Sequence, residues 1–136
     1  MALMTWDDKF SVGVKVLDAD HKKLIAMVNE LHDGILSGKR QESLAHVLDQ
    51  LVKYTQVHFA REEEFFTRTK YPQAAQHKKE HDELIKTAVD LQARSKSGAS
   101  SMLSLETMTF LKNWLSHHIN DIDKKYGPHL NSQGIH

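Results

Sequence analysis

The stretch His77-Lys78-Lys79-Glu80-His81 decides how this chain is read. It falls in a segment with helical periodicity. Its two imidazoles therefore share one face, a turn apart and about 6 Å along the axis. Two neutral imidazoles so placed can grip one metal ion. Upstream, Val57-His58-Phe59-Ala60-Arg61-Glu62 repeats the i, i+4 spacing with His58 and Glu62.

Both pairs sit on apolar stripes. Ala74, His77, His81, Leu84, Ala88 and Leu91 recur at steps of three and four, and predict a helix over about 72–94. Leu44, Leu48, Leu51, Thr55, His58, Glu62 and Phe65 predict another over about 41–67. Outward from these, His21, Leu24, Val28, Leu31 and Ile35 mark a helix over about 18–36, with Asp18 or Asp20 as its expected cap. Leu111, Trp114, Leu115, His118 and Ile122 mark a fourth over about 102–122. Breaks stand at Ser37-Gly38-Lys39, at Lys70-Tyr71-Pro72 and over the Ser- and Gly-rich residues 95–101. Residues 1–17 read as an irregular arm anchored by Trp6 and Phe10. Residues 123–136, with Gly127-Pro128, read as an irregular tail. The expectation is one all-α domain over 1–136, an up-down-up-down four-helix bundle with an irregular N-terminal arm.

Composition narrows the function. Eighteen basic and 18 acidic side chains balance to zero, which argues against nucleic acid or a membrane surface as partner. No apolar run approaches the roughly 20 residues of a spanning helix, so no membrane insertion is expected. The N-terminus lacks the pattern of a signal peptide, which makes a cytoplasmic location the default. With no cysteine, any metal must be held by imidazole and carboxylate, a donor set suited to iron, zinc, copper or manganese.

Ten histidines are present, and the stripes sort them. His21, His58, His77, His81 and His118 lie on apolar faces. His32, His46 and His117 fall off them, and His129 and His136 are in the tail. In an up-down-up-down bundle the starts of the first and third helices meet the ends of the second and fourth. That brings the five stripe histidines and Glu62 into one layer. A second carboxylate comes from the end of the last helix. Asp121 is at i+3 from His118, while Asp123 is at i+5 and would need a wide, π-type turn, because five residues turn an α-helix about 140°. Such groups in a dry layer must be paired, and metal supplies the pairing. Five imidazoles, two bridging carboxylates and a bridging oxygen fill eleven of the twelve positions of two octahedral ions. His77, His81 and His118 serve one ion. His21 and His58 serve the other, which keeps a vacancy for a small ligand.

At this point the chain resembles the hemerythrin family, in its single-domain bacterial form. The matching segments are Trp6-Asp7, Asp20-His21-Lys22-Lys23-Leu24, His58-Phe59-Ala60-Arg61-Glu62-Glu63, His77-Lys78-Lys79-Glu80-His81 and Trp114-Leu115-Ser116-His117-His118-Ile119-Asn120-Asp121-Ile122-Asp123. Each is weak alone; the ordered combination is specific. The resemblance implies two non-heme iron ions joined by an oxide or hydroxide, with His77, His81 and His118 on one iron and His21 and His58 on the other. It implies that Glu62 and Asp123 bridge them. It also implies reversible dioxygen binding for carriage, storage or delivery, with an oxygen-consuming enzyme as recipient and no catalytic residues of its own. Leu24, Phe59 and Leu115, each beside or one turn from a ligand, are the expected pocket lining. A monomer is expected, since no apolar stripe remains once the bundle closes.

Three other readings compete. A ferritin-like di-iron oxidase would need Glu-x-x-His pairs on the inward stripes, and none falls there. A zinc peptidase could use His77-Lys78-Lys79-Glu80-His81 as an H-x-x-E-H motif with Glu80 as base, but leaves His21, His58 and His118 unexplained. A sensor or scavenger of oxygen, nitric oxide or peroxide could use the same open iron.

Overall fold

The computed structural model describes residues 3–38, 40–97 and 101–136. Four long helices form the body: α1 (Lys15–Leu36), α2 (Arg40–Thr69), α3 (Ala74–Lys96) and α4 (Ser101–His117). A π turn (His118–Ile122) and a 3-10 turn (Asp123–Lys125) prolong α4, and α5 (Tyr126–Ser132) follows. No strand occurs among the described residues. Lys39 of the first break and residues 98–100 of the Ser- and Gly-rich loop lie outside them, as do Met1 and Ala2 of the arm.

The helices alternate in direction. Glu30 of α1 meets His46 of α2 at 3.3 Å, Asp49 of α2 meets Gln92 of α3, and Arg94 of α3 pairs with Glu106 of α4 at 2.9 Å. All these pairs lie at one end, where α1 and α3 finish and α2 and α4 begin. They are exposed and contribute little to stability. The apolar stripes carry it: Val28, Leu31, Leu44, Val47, Leu48, Ala88 and Leu91 are buried between the helices at that same half. The opposite half of the bundle receives the histidines.

The arm and the tail are more ordered than their composition suggests. Asp8–Phe10 forms a 3-10 turn, and Val14 is the N-cap of α1, so this helix begins before either expected cap residue. Asp18 instead sits inside the first turn and accepts hydrogen bonds from Val12 N (2.8 Å) and the Ser11 hydroxyl (2.6 Å), which ties the arm down. Met4 exchanges two backbone bonds with the Asn29 amide, at 2.8 Å each. Trp6 and Phe10 pack on the core as partly buried anchors.

The tail expectation is overturned over Tyr126–Ser132, which is helical. Gly127-Pro128 falls in the first turn of α5, where proline's missing N–H has no helical partner to lose. Gly127 is required by packing, since a Cβ there would run into the Val12 carbonyl oxygen. Tyr126 and Leu130 then bury completely against the body. The tail looked irregular because Gly-Pro reads locally as a breaker, while its apolar face is visible only over two turns.

Two helix ends share one stop geometry. After α5, Ile135 N bonds Leu130 O (2.9 Å) with Gly134 at φ 83°. After α2, Tyr71 N bonds Phe66 O (3.0 Å), and the residue in the left-handed position is Lys70 at φ 56°. The rings of Phe66 and Tyr71 supply the apolar clasp that accompanies this motif, 4.9 Å apart. A non-glycine residue there costs about 1–2 kcal/mol. Glycine would return roughly 0.4–1 kcal/mol of that as freedom of the unfolded chain. Lys70→Gly is therefore expected to stabilise the protein by about 0.5–1 kcal/mol. A thermal melt should show Tm higher by about 2–4 °C.

Candidate metal centre

Seven side chains from the four helix ends converge. His21 comes from the second turn of α1, His58 and Glu62 from the last third of α2, His77 and His81 from the first turns of α3, and His118 and Asp123 from the end of α4 and its extension. Each is at most 3 % exposed. His32, His46, His117, His129 and His136 stay outside the cluster.

The backbone that places Asp123 is not α-helical. Its N–H reaches the carbonyl of His118, five residues back, closing the π turn His118–Ile122. That wider turn lets both side chains face inward where an α-turn would splay them. Asp121 points outward and lies 2.8 Å from His117 Nδ1 at the surface.

The two carboxylates sit between the imidazoles. Asp123 Oδ1 is 2.9 Å from Nε2 of both His77 and His118, and Oδ2 is 2.9 Å from His21 Nε2. Glu62 Oε1 is 3.1 Å from His81 Nε2 and 3.4 Å from His58 Nε2. Ligand atoms of Glu62, His77, His81, His118 and Asp123 fall within 4.8 Å of one another, and so do those of His21, His58, Glu62 and Asp123. The carboxylates are common to both groups.

These short contacts are misaligned for hydrogen bonding. Nε2 of all five imidazoles, Glu62 Oε1 and both oxygens of Asp123 are buried without a hydrogen-bond partner. Unpaired buried polar atoms cost about 1–3 kcal/mol each, and the cost falls away if their lone pairs converge on metal. The orphaned atoms are the metal-facing atoms of the seven residues, so the donor set fits metal well.

Electrostatics point the same way. Burial alone would raise the carboxyl of Asp123, but the imidazoles of His118, His21 and His77 overcome it and hold it well below the usual range. Glu62 is likewise lowered, against burial and the repulsion of Asp123, by His58 and His81. Burial disfavours charge on His21 and His77, yet the neighbouring Asp123 raises both. The carboxylates thus favour positive charge in their midst, which a metal ion would supply.

Support comes from further residues, all but Trp114 off the stripes. Asp20 Oδ2 lies 2.8 Å from His58 Nδ1, and Asp20 also accepts from the Tyr54 hydroxyl (2.6 Å) and Arg61 Nη1 (2.8 and 2.9 Å). Its place beside His21 was the available signal; expected there as a cap, it is instead buried within α1. Glu63, which lies off the apolar stripe of α2, is only partly exposed and reaches His81 Nδ1 at 3.3 Å. Trp114 stacks on His118 with centroids 4.3 Å apart. Tyr126 donates a 2.6 Å hydrogen bond to Glu62 Oε2, and the irregular reading of the tail hid it.

Of the three pocket candidates, Leu24 and Leu115 line a small, mainly apolar cavity with Val28, Leu51, Thr55, Leu84, Leu111 and Trp114. Phe59 is absent from that lining and stacks flat on His81, centroids 3.7 Å apart. Leu24, Thr55, Leu84 and Leu115 each stand three residues from a cluster histidine, toward the bundle centre. The cavity is therefore the next layer beneath the cluster. It is small, on the scale of a single water molecule.

A buried histidine and carboxylate cluster in a four-helix bundle defines a class of metal-binding proteins, and comparison gives the family. The family model of the hemerythrin HHE cation binding domain matches residues 12–130. A bacteriohemerythrin of Methylococcus capsulatus is 39 % identical over 133 residues, 97 % of this chain and 100 % of that protein. A bacteriohemerythrin of Stenotrophomonas maltophilia is 37 % identical over 96 % of this chain and 86 % of that protein. The crystal structure of a wild-type hemerythrin superposes with a TM-score of 0.85 at 38 % identity, covering 95 % of this chain and 98 % of that one. The chain belongs to the hemerythrin family. Membership implies an oxygen-binding di-iron centre, and the buried cluster is suited to hold it.

Asp20→Asn tests the support of His58. Asp20 is 3 % exposed and lies below its ordinary carboxyl value, because its bonds to His58 and Tyr54 and the charge of Arg61 outweigh burial. A depressed carboxyl stabilises the fold above its unfolded pKa, near 4, and that contribution is lost as pH falls through the folded value. Denaturant titration should find the metal-free variant less stable by about 1.5–3 kcal/mol at pH 7. The gap to wild type should narrow below pH 4.

Proposed function

We propose that this protein binds dioxygen reversibly at a non-heme di-iron centre, for carriage, storage or delivery to an oxygen-consuming enzyme. His77, His81 and His118 hold one iron, His21 and His58 the other, and Glu62 and Asp123 bridge them. The observation that carries the reading is the pairing of the orphaned inward-facing atoms with a small, mainly apolar cavity one turn deeper. When bound, the two irons supply the electrons and the vacant position that dioxygen requires.

The chain's own residues keep water and protons out. Leu24, Leu84, Leu111, Trp114 and Leu115 surround the cavity with carbon. The hydroxyl of Thr55, which also lines that wall, is spent on the carbonyls of Leu51 (2.8 Å) and Val52 (3.2 Å). The wall is mainly aliphatic, which disfavours water and free acids beside bound oxygen. The imidazoles are fixed by flat stacking of His81 on Phe59 and of His118 on Trp114. The outer nitrogen of His58 is fixed by Asp20.

We place this activity on a monomer in the cytoplasm. Among the described residues no helix is long and apolar enough to cross a membrane. The exposed large apolar side chains among the described residues, Val16, Leu36, Val57, Val89 and Leu105, are dispersed over all four long helices, with Leu36 at a helix end.

The test is metal analysis with visible spectroscopy on protein reduced without air, exposed to oxygen and then purged. Two irons per chain, with colour that appears under oxygen and fades on purging, are expected. Two irons that oxidise once and remain diferric would favour an oxidase or redox sensor over a carrier, and colourless zinc protein would overturn the di-iron reading. Leu115→Asn places a donor in the cavity wall and should speed oxidation to the diferric form severalfold. An unchanged oxidation rate would remove Leu115 from the water barrier.

A further inference from the structure

Glu62 and Asp123 differ in one respect. Both are fully buried, and Asp123 has only imidazoles around its oxygens. Glu62 directs Oε1 at the imidazoles, but its Oε2 accepts a 2.6 Å hydrogen bond from the phenol of Tyr126. Tyr126 is itself 0 % exposed, and its ring lies between Phe66 (centroids 5.4 Å apart) and His77 (5.6 Å). The phenol cannot turn to water, so its proton has Glu62 as partner.

The position of the phenol is set from outside the cluster. Tyr126 is the first residue of α5, and α5 is docked at three points. Gly127 lies against the Val12 carbonyl, His129 Nε2 meets Thr69 O at 2.8 Å, and the Asn131 amide donates to Gly13 O at 3.0 Å. The arm and the end of α2 thus hold the tail helix, and the tail helix holds Glu62.

We propose that Tyr126 is the positioning residue of the bridging carboxylate. Its hydrogen bond keeps Glu62 from swinging round to chelate a single ion, and it draws electron density from the bridge. The bond thereby favours retention of both irons and favours the reduced pair. This inference rests on the di-iron reading above. A carboxylate oxygen has lone pairs for both a metal and a phenol, so the bond persists when the centre is loaded.

The experiment compares iron-loaded wild type, Tyr126→Phe and Tyr71→Phe. Tyr71 is a control, because its hydroxyl bonds Gln73 outside the cluster. Three quantities are read: iron per chain under a competing chelator, the reduction potential of the diferric pair, and Tm of the metal-free protein. Tyr126→Phe keeps the ring and its packing. It should bind iron roughly 10–100-fold more weakly and show a lower potential, with Tyr71→Phe matching wild type in both. Unchanged chelator competition and unchanged potential in a folded Tyr126→Phe would overturn the proposal, as would a change confined to Tm. Wild type that holds fewer than two irons would instead overturn the di-iron reading, and this inference with it. If Tyr126→Phe does not fold, infrared difference spectra of wild type with ring-labelled tyrosine decide. The phenol C–O band that survives in Tyr54→Phe and Tyr71→Phe should shift on iron loading, and a band that does not move overturns the proposal.

Discussion

Two carboxylates with no solvent exposure, held inside a helical bundle, are the constraint on which the rest of this structure depends. Moving one carboxylate out of water costs several kcal/mol even after relaxation. Glu62 and Asp123 also repel one another. Nothing apolar could offset that locally, so the chain divides its tasks along the bundle axis. One half is a mainly apolar core, with Leu31, Leu44, Val47, Leu48 and Leu91 at or near complete burial. The other half collects five imidazoles round the carboxylates and leaves their inner atoms unpaired. Stability generated in the first half maintains a cluster in the second that is unfavourable until metal arrives.

That division required a departure from helical regularity. His118 and Asp123 belong to one continuous segment and must both face inward. An α-helix five residues on has turned about 140° away. The π turn removes the mismatch by bonding Asp123 N–H to the carbonyl five residues back. Such turns are uncommon and gather at functional sites. Here the cause is visible: without it the inward carboxylate at this level would be Asp121, which instead lies at the surface beside His117.

The bundle and most of the cluster were legible because they rest on periodicity. Stripes at steps of three and four carried His21, His58, His77, His81 and His118 inward together with their leucines, and short breaks between helices set the direction of each. What escaped was non-periodic or long-range. Val14 caps α1 because the arm buries there, which no local signal distinguishes from Asp18 or Asp20 as cap. Tyr126 reads as tail because Gly127-Pro128 follows it, yet Gly127 is there for the carbonyl of Val12, a contact between the two ends of the chain. Glu63 neighbours Glu62 on α2 and so reads as turned away to solvent. Its reach to His81 depends on the spacing between α2 and α3, which sequence does not state.

The outer nitrogens of the imidazoles show how unevenly the centre is braced. Metal-bound histidines ordinarily donate their second N–H to an acceptor, which fixes the ring and raises its basicity. Each group of converging ligands has one histidine of that kind: His81 toward Glu63 in the first and His58 toward Asp20 in the second. Nδ1 of His21 and of His118 has no partner among the described residues. His118 is held by its stack on Trp114, which constrains the ring without adding charge. A centre braced by carboxylates at every imidazole would carry more negative charge and would favour its oxidised state. One such brace per group, with aromatic stacking elsewhere, fixes the geometry and limits that bias. In the proposed function the reduced state is the one that meets oxygen, and sparse bracing by anions, the neutral phenol of Tyr126 on Glu62 and a mainly apolar cavity all act toward that end.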